Sequence, residues 1–243
     1  MQVFGLVGRH ISYSFSRAYF ADKFARLKID AQYLNFDLED LSRFDRVMAT
    51  PGLRGFNVTI PYKVEIIPLL NSLSPEASRI GAVNTVKVDS DGSLRGHNTD
   101  WIGFTGSLRP LLKPFHKSAL ILGTGGASRA VAYGLDALGI GYQVVSRSGN
   151  GLKYGNLQRS RFPEPLIVIN CTPVGTAPNM DASPLPAVFF RPGDIAFDLI
   201  YNPSKTQFLT DAESIGAVIL NGLPMLEIQA EKSWEIWSEG NLP

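Results

Sequence analysis

The stretch of the sequence that most restricts the fold is SALILGTGGASRAVAYGLDALGIGYQVVSRS, residues 118–148. It reads as an apolar strand, a glycine turn, an alanine-rich helix and a second strand, which together make one βαβ unit of about 30 residues. Because such a unit places both strands in one sheet, it predicts a parallel α/β domain. Further apolar runs, PLIVINCTP, DIAFDLIY and GAVILNG, supply later strands.

The glycine turn predicts a dinucleotide-binding loop. It comprises Gly123, Thr124, Gly125, Gly126 and Ala127, followed by Ser128 where the G-x-G-x-x-G motif has its third glycine. Gly123 permits the tight turn, Gly125 lets the backbone approach a pyrophosphate, and the helix N-terminus offers unpaired N–H groups. The alternative interpretation is a glycine-rich turn that holds no ligand.

The end of the second strand predicts which dinucleotide binds. An NAD site carries a carboxylate about 20 residues after the glycines, whereas this strand ends in Ser146, Arg147 and Ser148. A guanidinium between two hydroxyls suits a 2′-phosphate, so NADP is the predicted cofactor. The alternative is that Arg147 is only a surface charge.

The first hundred residues predict a second α/β domain. Short apolar strands alternate with an amphipathic helix, and a hairpin with an Asp91-Gly92 turn follows. We expect this antiparallel pair to form the edge of the sheet. We therefore expect two α/β domains with a cleft between them. Residues 1–100, joined by a C-terminal helix at 223–243, form an N-terminal mainly parallel substrate-binding and catalytic sheet, and residues 101–222 form a Rossmann-type NADP-binding domain.

Composition argues against several functions. A net charge of +1 with 19% charged residues disfavours a nucleic-acid partner. There is neither a signal-peptide pattern nor a run of about 18 apolar residues, so we expect a soluble cytoplasmic protein with no membrane partner. Cys171 is the only cysteine and the three histidines show no ligand spacing, so no metal site is predicted.

Two charged residues are candidates for proton transfer. Lys63 follows the predicted strand in NVTIPYK, and Asp100 follows the hairpin. Oxidation of an alcohol by a nicotinamide requires a group that exchanges a proton, and a carboxylate beside a partly buried amine can hold it in place. A lone lysine after a turn is otherwise a solvated charge, and spacing alone does not establish the contact.

The sequence resembles the shikimate dehydrogenase family over nearly its whole length. The motifs, in the family's order, are SFS, NVTIPYK, GAVNT, GHNTD, GTGGASRAV, INCTPVGT, DLIYNPSKTQFL and NGLPMLEIQA. The resemblance implies that Lys63 and Asp100 are the catalytic pair.

The resemblance also implies the remaining site residues. Ser14 and Ser16 would hold the substrate carboxylate, and Thr59, Asn84, Asp100 and Gln229 would bind ring hydroxyls. Tyr201 would line the nicotinamide end of the substrate site, and Gly222 would join the cofactor-binding residues. The residues alone also permit a helix-capping role for the serines, sheet-end polar groups at Thr59 and Asn84, and an exposed helix position for Gln229.

The implied activity is the reversible, NADP-dependent reduction of 3-dehydroshikimate to shikimate in aromatic amino-acid and chorismate biosynthesis. Two alternatives stay open: a quinate/shikimate dehydrogenase that prefers NAD, and a non-catalytic dinucleotide sensor. The oligomeric state also stays open, with a homodimer as an option.

Four departures from the family's pattern stand out, and the first is Ser146-Arg147-Ser148 in place of the common Asn-Arg-Thr. Arg17 follows Ser16 where proline is usual, and Thr176 stands where methionine is common. Glycines and prolines between residues 149 and 165 leave no helical window of ordinary length, so the second crossover helix is expected to be short or missing.

Overall fold

The computed structural model describes residues 1–12, 14–147 and 151–239. Ser148, one of the predicted cofactor ligands, lies outside the described residues. The strands are β1 Gln2–Gly8, β2 Ala31–Asp37, β3 Leu53–Val58, β4 Ser72–Leu73, β5 Thr85–Val88, β6 Leu94–His97, β7 Ser118–Leu122, β8 Gly141–Ser146, β9 Leu152–Lys153, β10 Leu166–Asn170, β11 Ile195–Asp198 and β12 Val218–Leu220. The α-helices are α1 Phe15–Leu27, α2 Phe44–Met48, α3 Pro75–Ile80, α4 Asp100–Leu108, α5 Gly126–Ala137, α6 Gln207–Ser214 and α7 Leu223–Ser238.

The chain divides into two compact units. The first unit comprises residues 1–99 and the segment that starts at Ala230, and the second unit comprises residues 100–229. Helix α7 therefore begins in the second unit and ends in the first. Among the described residues, no helix combines the length and the apolar character that crossing a membrane requires.

The first unit contains a mixed sheet with the strand order β2-β1-β3-β5-β6-β4. Strand β1 pairs in parallel with β2 and β3, and the β5–β6 hairpin adds antiparallel pairs. The hairpin is the one predicted from Asp91-Gly92. It does not form the edge of the sheet, however, because the two-residue strand β4 pairs with β6 outside it.

The second unit contains a fully parallel sheet with the order β12-β11-β10-β7-β8-β9. Strands β7, β10 and β11 are almost entirely apolar and buried, as expected for central strands of a sheet covered on both faces. After β8 and β9 the chain returns to the other side of β7. The order therefore reverses between β7 and β10, which is where α/β sheets bind ligands, at the carboxyl ends of the strands.

The expected loss of the second crossover helix is confirmed for the described part of that segment. Residues 152–161 form strand β9 and two 3₁₀ turns, Tyr154–Asn156 and Arg159–Arg161. The second turn is fixed by an ion pair of 2.8 Å between the Arg159 guanidinium and the buried carboxylate of Asp194.

Candidate active site

The glycine loop makes a tight turn that leads directly into the N-terminus of a helix. Gly123 adopts φ +109°, and a Cβ there would lie 3.1 Å from Thr172 and 3.3 Å from the carbonyl oxygen of Cys171. Helix α5 starts at Gly126, and its N-cap residue Gly125 provides no side-chain cap. A Cβ added at Gly125 would meet no neighbouring group within 4 Å. Unpaired N–H groups at a helix N-terminus beside open space fit an anionic group.

Ser128 takes the place of the missing third glycine in a specific way. It is buried, and its hydroxyl donates a hydrogen bond of 2.6 Å to the carbonyl oxygen of Gly125. A small side chain that bonds to its own turn preserves close packing, so the departure from the motif leaves the loop geometry intact. Thr124 is exposed and Ala127 is half-buried.

The end of β8 places the predicted 2′-phosphate residues at the carboxyl edge of the sheet. Ser146 is buried, Arg147 is exposed, and Lys153 lies opposite Ser146 in the neighbouring strand. Burial raises the pKa of Tyr154, and the charge of Arg147 opposes that rise, so the guanidinium lies within electrostatic reach of this ring. The described groups at this strand end that carry charge are cationic and suit a phosphate.

The backbone around Lys63 is held at both ends. Tyr62 is fully buried and its hydroxyl donates a hydrogen bond of 2.6 Å to the carbonyl oxygen of Leu38. The carbonyl oxygen of Lys63 accepts a hydrogen bond of 2.7 Å from the N–H of Val83. Lys63 is half-buried, so a fixed backbone carries a partly covered residue here.

Asp100 is the first residue of α4 and is only 5% exposed. The two residues before it bond to the segment 82–84, in which the N–H of Val83 also bonds to Lys63. Asn98 donates to the carbonyl oxygen of Ala82 at 2.9 Å, and the Thr99 N–H donates to the Asn84 side chain at 2.6 Å. A carboxylate in the first turn also interacts favourably with the positive end of the helix dipole, so a structural contribution accompanies any catalytic one.

The two predicted carboxylate-binding serines have different surroundings. Ser14 is the N-cap residue of α1, yet its side chain makes no capping hydrogen bond. Ser16 is buried and bonds to the hydroxyl of Tyr33, which in turn donates to Asn57 at 2.9 Å. Burial raises the pKa of Tyr33, so this hydroxyl stays protonated and able to donate. The helix start therefore offers backbone N–H groups together with an uncommitted capping position.

Thr59 and Asn84 lie at strand ends in the first unit. The N–H of Thr59 donates to Val7 at 2.9 Å, and the Asn84 amide donates to the hydroxyl of Thr99 at 2.9 Å. Asn84 belongs to a buried polar network that sequence reasoning missed; its other members are Asn57, Thr85, Thr99 and Ser233. The available signal was the polar residue Asn57 between the apolar residues Phe56 and Val58.

The remaining predicted residues lie in the second unit. Gln229 is buried rather than exposed, and its amide donates to the carbonyl oxygen of Leu226 at 3.0 Å. Tyr201 is half-buried in the loop after β11. Gly222 is buried, and its N–H donates to Ile200 at 3.0 Å. No group of three or more His, Cys, Asp or Glu side chains suited to a metal ion occurs within the described ranges.

Comparison with known proteins decides the family. Residues 6–86 match the family described as shikimate dehydrogenase substrate binding domain. A shikimate dehydrogenase (NADP(+)) from Moorella thermoacetica is 37% identical, with 98% of this chain and 88% of the relative covered. The chain belongs to the shikimate dehydrogenase family.

Solved structures agree with this assignment. A shikimate 5-dehydrogenase from Thermus thermophilus, in complex with NADP(H) and shikimate, is 34% identical with a TM-score of 0.87, and 100% of this chain and 95% of that chain are covered. A quinate dehydrogenase from Corynebacterium glutamicum, in complex with NAD, is 25% identical with a TM-score of 0.88, and 98% and 94% are covered. Both comparisons support the predicted two-domain α/β fold.

Proposed function

We propose that this protein is an NADP-dependent shikimate dehydrogenase, which reversibly reduces 3-dehydroshikimate to shikimate in aromatic amino-acid biosynthesis. The observation that carries the proposal is the full-length similarity to shikimate dehydrogenases named for NADP(+), which spans 98% of this chain. The open glycine loop and the cationic end of β8 provide the matching cofactor features.

The cofactor-binding role falls to the carboxyl edge of the second sheet. The glycine loop, Gly123 to Ala127, and Gly222 hold the cofactor, with the N–H groups at the start of α5 directed at its pyrophosphate. Ser146 and Arg147 bind the 2′-phosphate, and Ser148 completes the set predicted from the sequence. NADPH, when bound, supplies the hydride equivalent that the reaction needs.

The protein's own contribution is alignment and proton transfer. Lys63 gives a proton to the carbonyl oxygen of 3-dehydroshikimate during reduction and takes it back from the hydroxyl during oxidation. Asp100 orients the amine and binds a ring hydroxyl. Ser14 and Ser16 bind the substrate carboxylate.

The other substrate contacts follow from the family resemblance. Thr59, Asn84 and Gln229 bind ring hydroxyls, and Tyr201 lines the nicotinamide end. The substrate-binding and catalytic role is assigned to residues 1–100 with the helix at 223–243, and the cofactor-binding role to 101–222. A cytoplasmic location and a homodimer remain sequence-based proposals.

The experiment that tests the function is an assay of shikimate and quinate, each with NADP and with NAD, followed by the absorbance of the reduced nicotinamide. We expect shikimate with NADP to give the highest kcat/KM. A higher kcat/KM for quinate with NAD would instead support a quinate/shikimate dehydrogenase that prefers NAD. The structural similarity to the quinate dehydrogenase favours this second candidate, and the cation Arg147 argues against it. Binding of NADPH without any turnover would identify a sensor.

Replacing Lys63 tests the catalytic assignment. Lys63→Ala should lower kcat by about 10²-fold or more, because a general acid–base contributes about that factor. Lys232→Ala is the control, since this lysine lies on α7 and pairs with Glu235 at the surface. A kcat for Lys63→Ala within twofold of the control would refute the assignment.

A further inference from the structure

Two polar residues that the proposed function does not use end neighbouring strands of the second sheet. Asn170 is the last residue of β10 and Asp198 the last residue of β11, and the two are paired in register. Both side chains have 0% exposure. Asn170 is also in register with Leu122, the residue immediately before the glycine loop.

Asp198 receives three hydrogen bonds from described residues. Its Oδ1 accepts from the Asn170 amide at 3.1 Å and from the N–H of Ile200 at 3.0 Å, and its Oδ2 accepts from the hydroxyl of Thr206 at 2.6 Å. Thr206 is the N-cap residue of α6. One carboxylate therefore fixes the start and the end of the loop 199–206, which contains Tyr201.

Asn170 fixes a second loop. Its Oδ1 accepts from both the N–H of Thr172, at 3.0 Å, and the Thr172 hydroxyl, at 2.6 Å. Its amide donates to the carbonyl oxygen of Val174 at 3.2 Å as well as to Asp198. The loop 171–176 is thus folded around Asn170, and its first residues lie against Gly123.

The topology indicates which part of a dinucleotide these loops serve. The pyrophosphate belongs at the glycine loop after β7, and the 2′-phosphate end belongs at β8 on one side of it. A dinucleotide lying across the carboxyl edge must then extend its other half over β10 and β11. These are the strands that Asn170 and Asp198 end.

We propose that Asp198, acting through Asn170 and Thr206, is a positioning residue that fixes the loops 171–176 and 199–206 beside the nicotinamide half of the cofactor; this rests on the proposed NADP-dependent function. The side chain acts through its hydrogen bonds and takes no direct part in proton transfer. Because small displacements of reacting groups lower rates sharply, loosening these loops should slow hydride transfer.

The energetic cost of this carboxylate supports a role. No ion pair in the described part of the chain involves Asp198, and burial raises its pKa to about 6. Burial of a charge with no opposite charge beside it is unfavourable. A costly group at the cofactor edge is consistent with a demand for loop geometry.

The test is Asp198→Asn, which keeps the size of the side chain. It replaces the carboxylate oxygen that accepts from the Thr206 hydroxyl by an amide group that donates. We expect kcat for 3-dehydroshikimate and NADPH to fall about tenfold, and the isotope effect with 4-deuterated NADPH to increase. The dissociation constant of 2′,5′-ADP, which contains only the adenine half of the cofactor, should change by less than twofold.

Asp194→Asn is a control with similar burial and hydrogen bonding, although Asp194 also forms an ion pair with Arg159. Asp194 has 0% exposure, also accepts three hydrogen bonds, from Arg159, Leu166 and Arg191, and lies just before the same strand at its opposite end. Equal kcat and isotope effect for Asp198→Asn and this control would overturn the proposal. So would a parallel loss of 2′,5′-ADP binding, which would indicate general damage to the unit.

Thr206 keeps the proposal testable if Asp198→Asn does not fold. Thr206→Ser retains the hydroxyl and should keep kcat, whereas Thr206→Val should lower it about tenfold; equal rates would overturn the proposal. A wild-type protein that does not reduce 3-dehydroshikimate would refute the proposed function and this inference with it. An active wild type with an unaffected Asp198→Asn refutes the positioning role alone.

Discussion

At the residue scale, the described charged groups at the end of β8 carry the proposed cofactor preference. Arg147 is exposed at the carboxyl edge, Ser146 beside it is buried, and Lys153 lies opposite in β9. The sequence predicted the preference for NADP from Arg147 and from the absence of a carboxylate at this strand end. It could not predict that the strand carrying Lys153 would pair here, because β9 is only two residues long and lacks a periodic pattern.

Replacing Arg147 tests this preference. Arg147→Ala should raise KM for NADPH about tenfold or more, since charge-assisted hydrogen bonds to phosphate are worth about 1.5–3 kcal/mol. KM for NADH should change little, because NADH has no 2′-phosphate. Arg161→Ala, an exposed arginine of the same segment, is the control, and an equal effect on both cofactors would contradict the assignment.

Asp198 should also leave a signature in the pH dependence of stability. Its folded-state pKa of about 6 lies above the ordinary 3.8 because burial disfavours the charged form. The pKa of nearby Cys171, a partly buried residue, is also raised. At pH values between these two pKa values of Asp198, its side chain is protonated in the native state and ionised in the unfolded state. The free energy of unfolding therefore falls as the pH rises from about 4 to about 6, by about 3 kcal/mol.

Urea denaturation of wild type and Asp198→Asn at several pH values measures this contribution. Since asparagine does not titrate and the other groups are shared, the difference between the two proteins isolates Asp198. The wild type should lose stability relative to the variant across that pH window. A difference that stays constant from about pH 4 to about pH 7 would show that Asp198 is not a titrating, buried acid.

At the scale of elements, the C-terminal part of α7 completes the sheet of the first unit. Trp237 is 1% exposed, packs against Phe4 and Phe20, and donates from its indole N–H to the carbonyl oxygen of Val86 at 2.9 Å. Gly55 of β3 lies directly beneath the indole ring, so the helix can approach the sheet only where β3 has no side chain.

Gly55→Ala tests this packing. The added Cβ would clash with the indole ring of Trp237 and would lie 2.8 Å from the carbonyl oxygen of Val86. We expect a loss of about 1–3 kcal/mol in the free energy of unfolding, the usual cost of overpacking, measured by circular dichroism in urea. Gly155→Ala, with open space out to 4 Å, should cost far less. Equal stabilities would contradict the close approach.

For the molecule as a whole, strong local patterns predicted the architecture and long-range pairing limited the prediction. The βαβ unit, the hairpin and the missing crossover helix follow from apolar runs, glycines and prolines close together in the sequence. The buried networks around Asn57 and Asp198 do not, because their partners are distant: Asn57 bonds to Ser233 in α7 at 2.9 Å. The sequence pattern can identify a polar residue in a buried strand, but it does not identify the hydrogen-bond partner of that residue.

The assignment of site residues shows the same division. The glycine loop and Arg147 were derived from local chemistry. Ser14, Asn84, Gln229 and Tyr201 depended on family resemblance. The first three each have an ordinary structural explanation in their own segments. The residues alone suggested an exposed helix position for Gln229, whereas the structure buries it; the pattern of α7 does not reveal which face is covered.

The division of α7 between the units has a consequence for synthesis on the ribosome. The first unit's aromatic cluster contains Phe4 and Phe20 near the start of the chain but also Ala230, Ile236 and Trp237. Residues 100–229 must be translated in between, which at about 5–20 residues per second takes on the order of 10 s. During that interval the aromatic side chains near the start of the chain lack their packing partners from α7. The part of the protein that is synthesised first is therefore the part that completes its folding last.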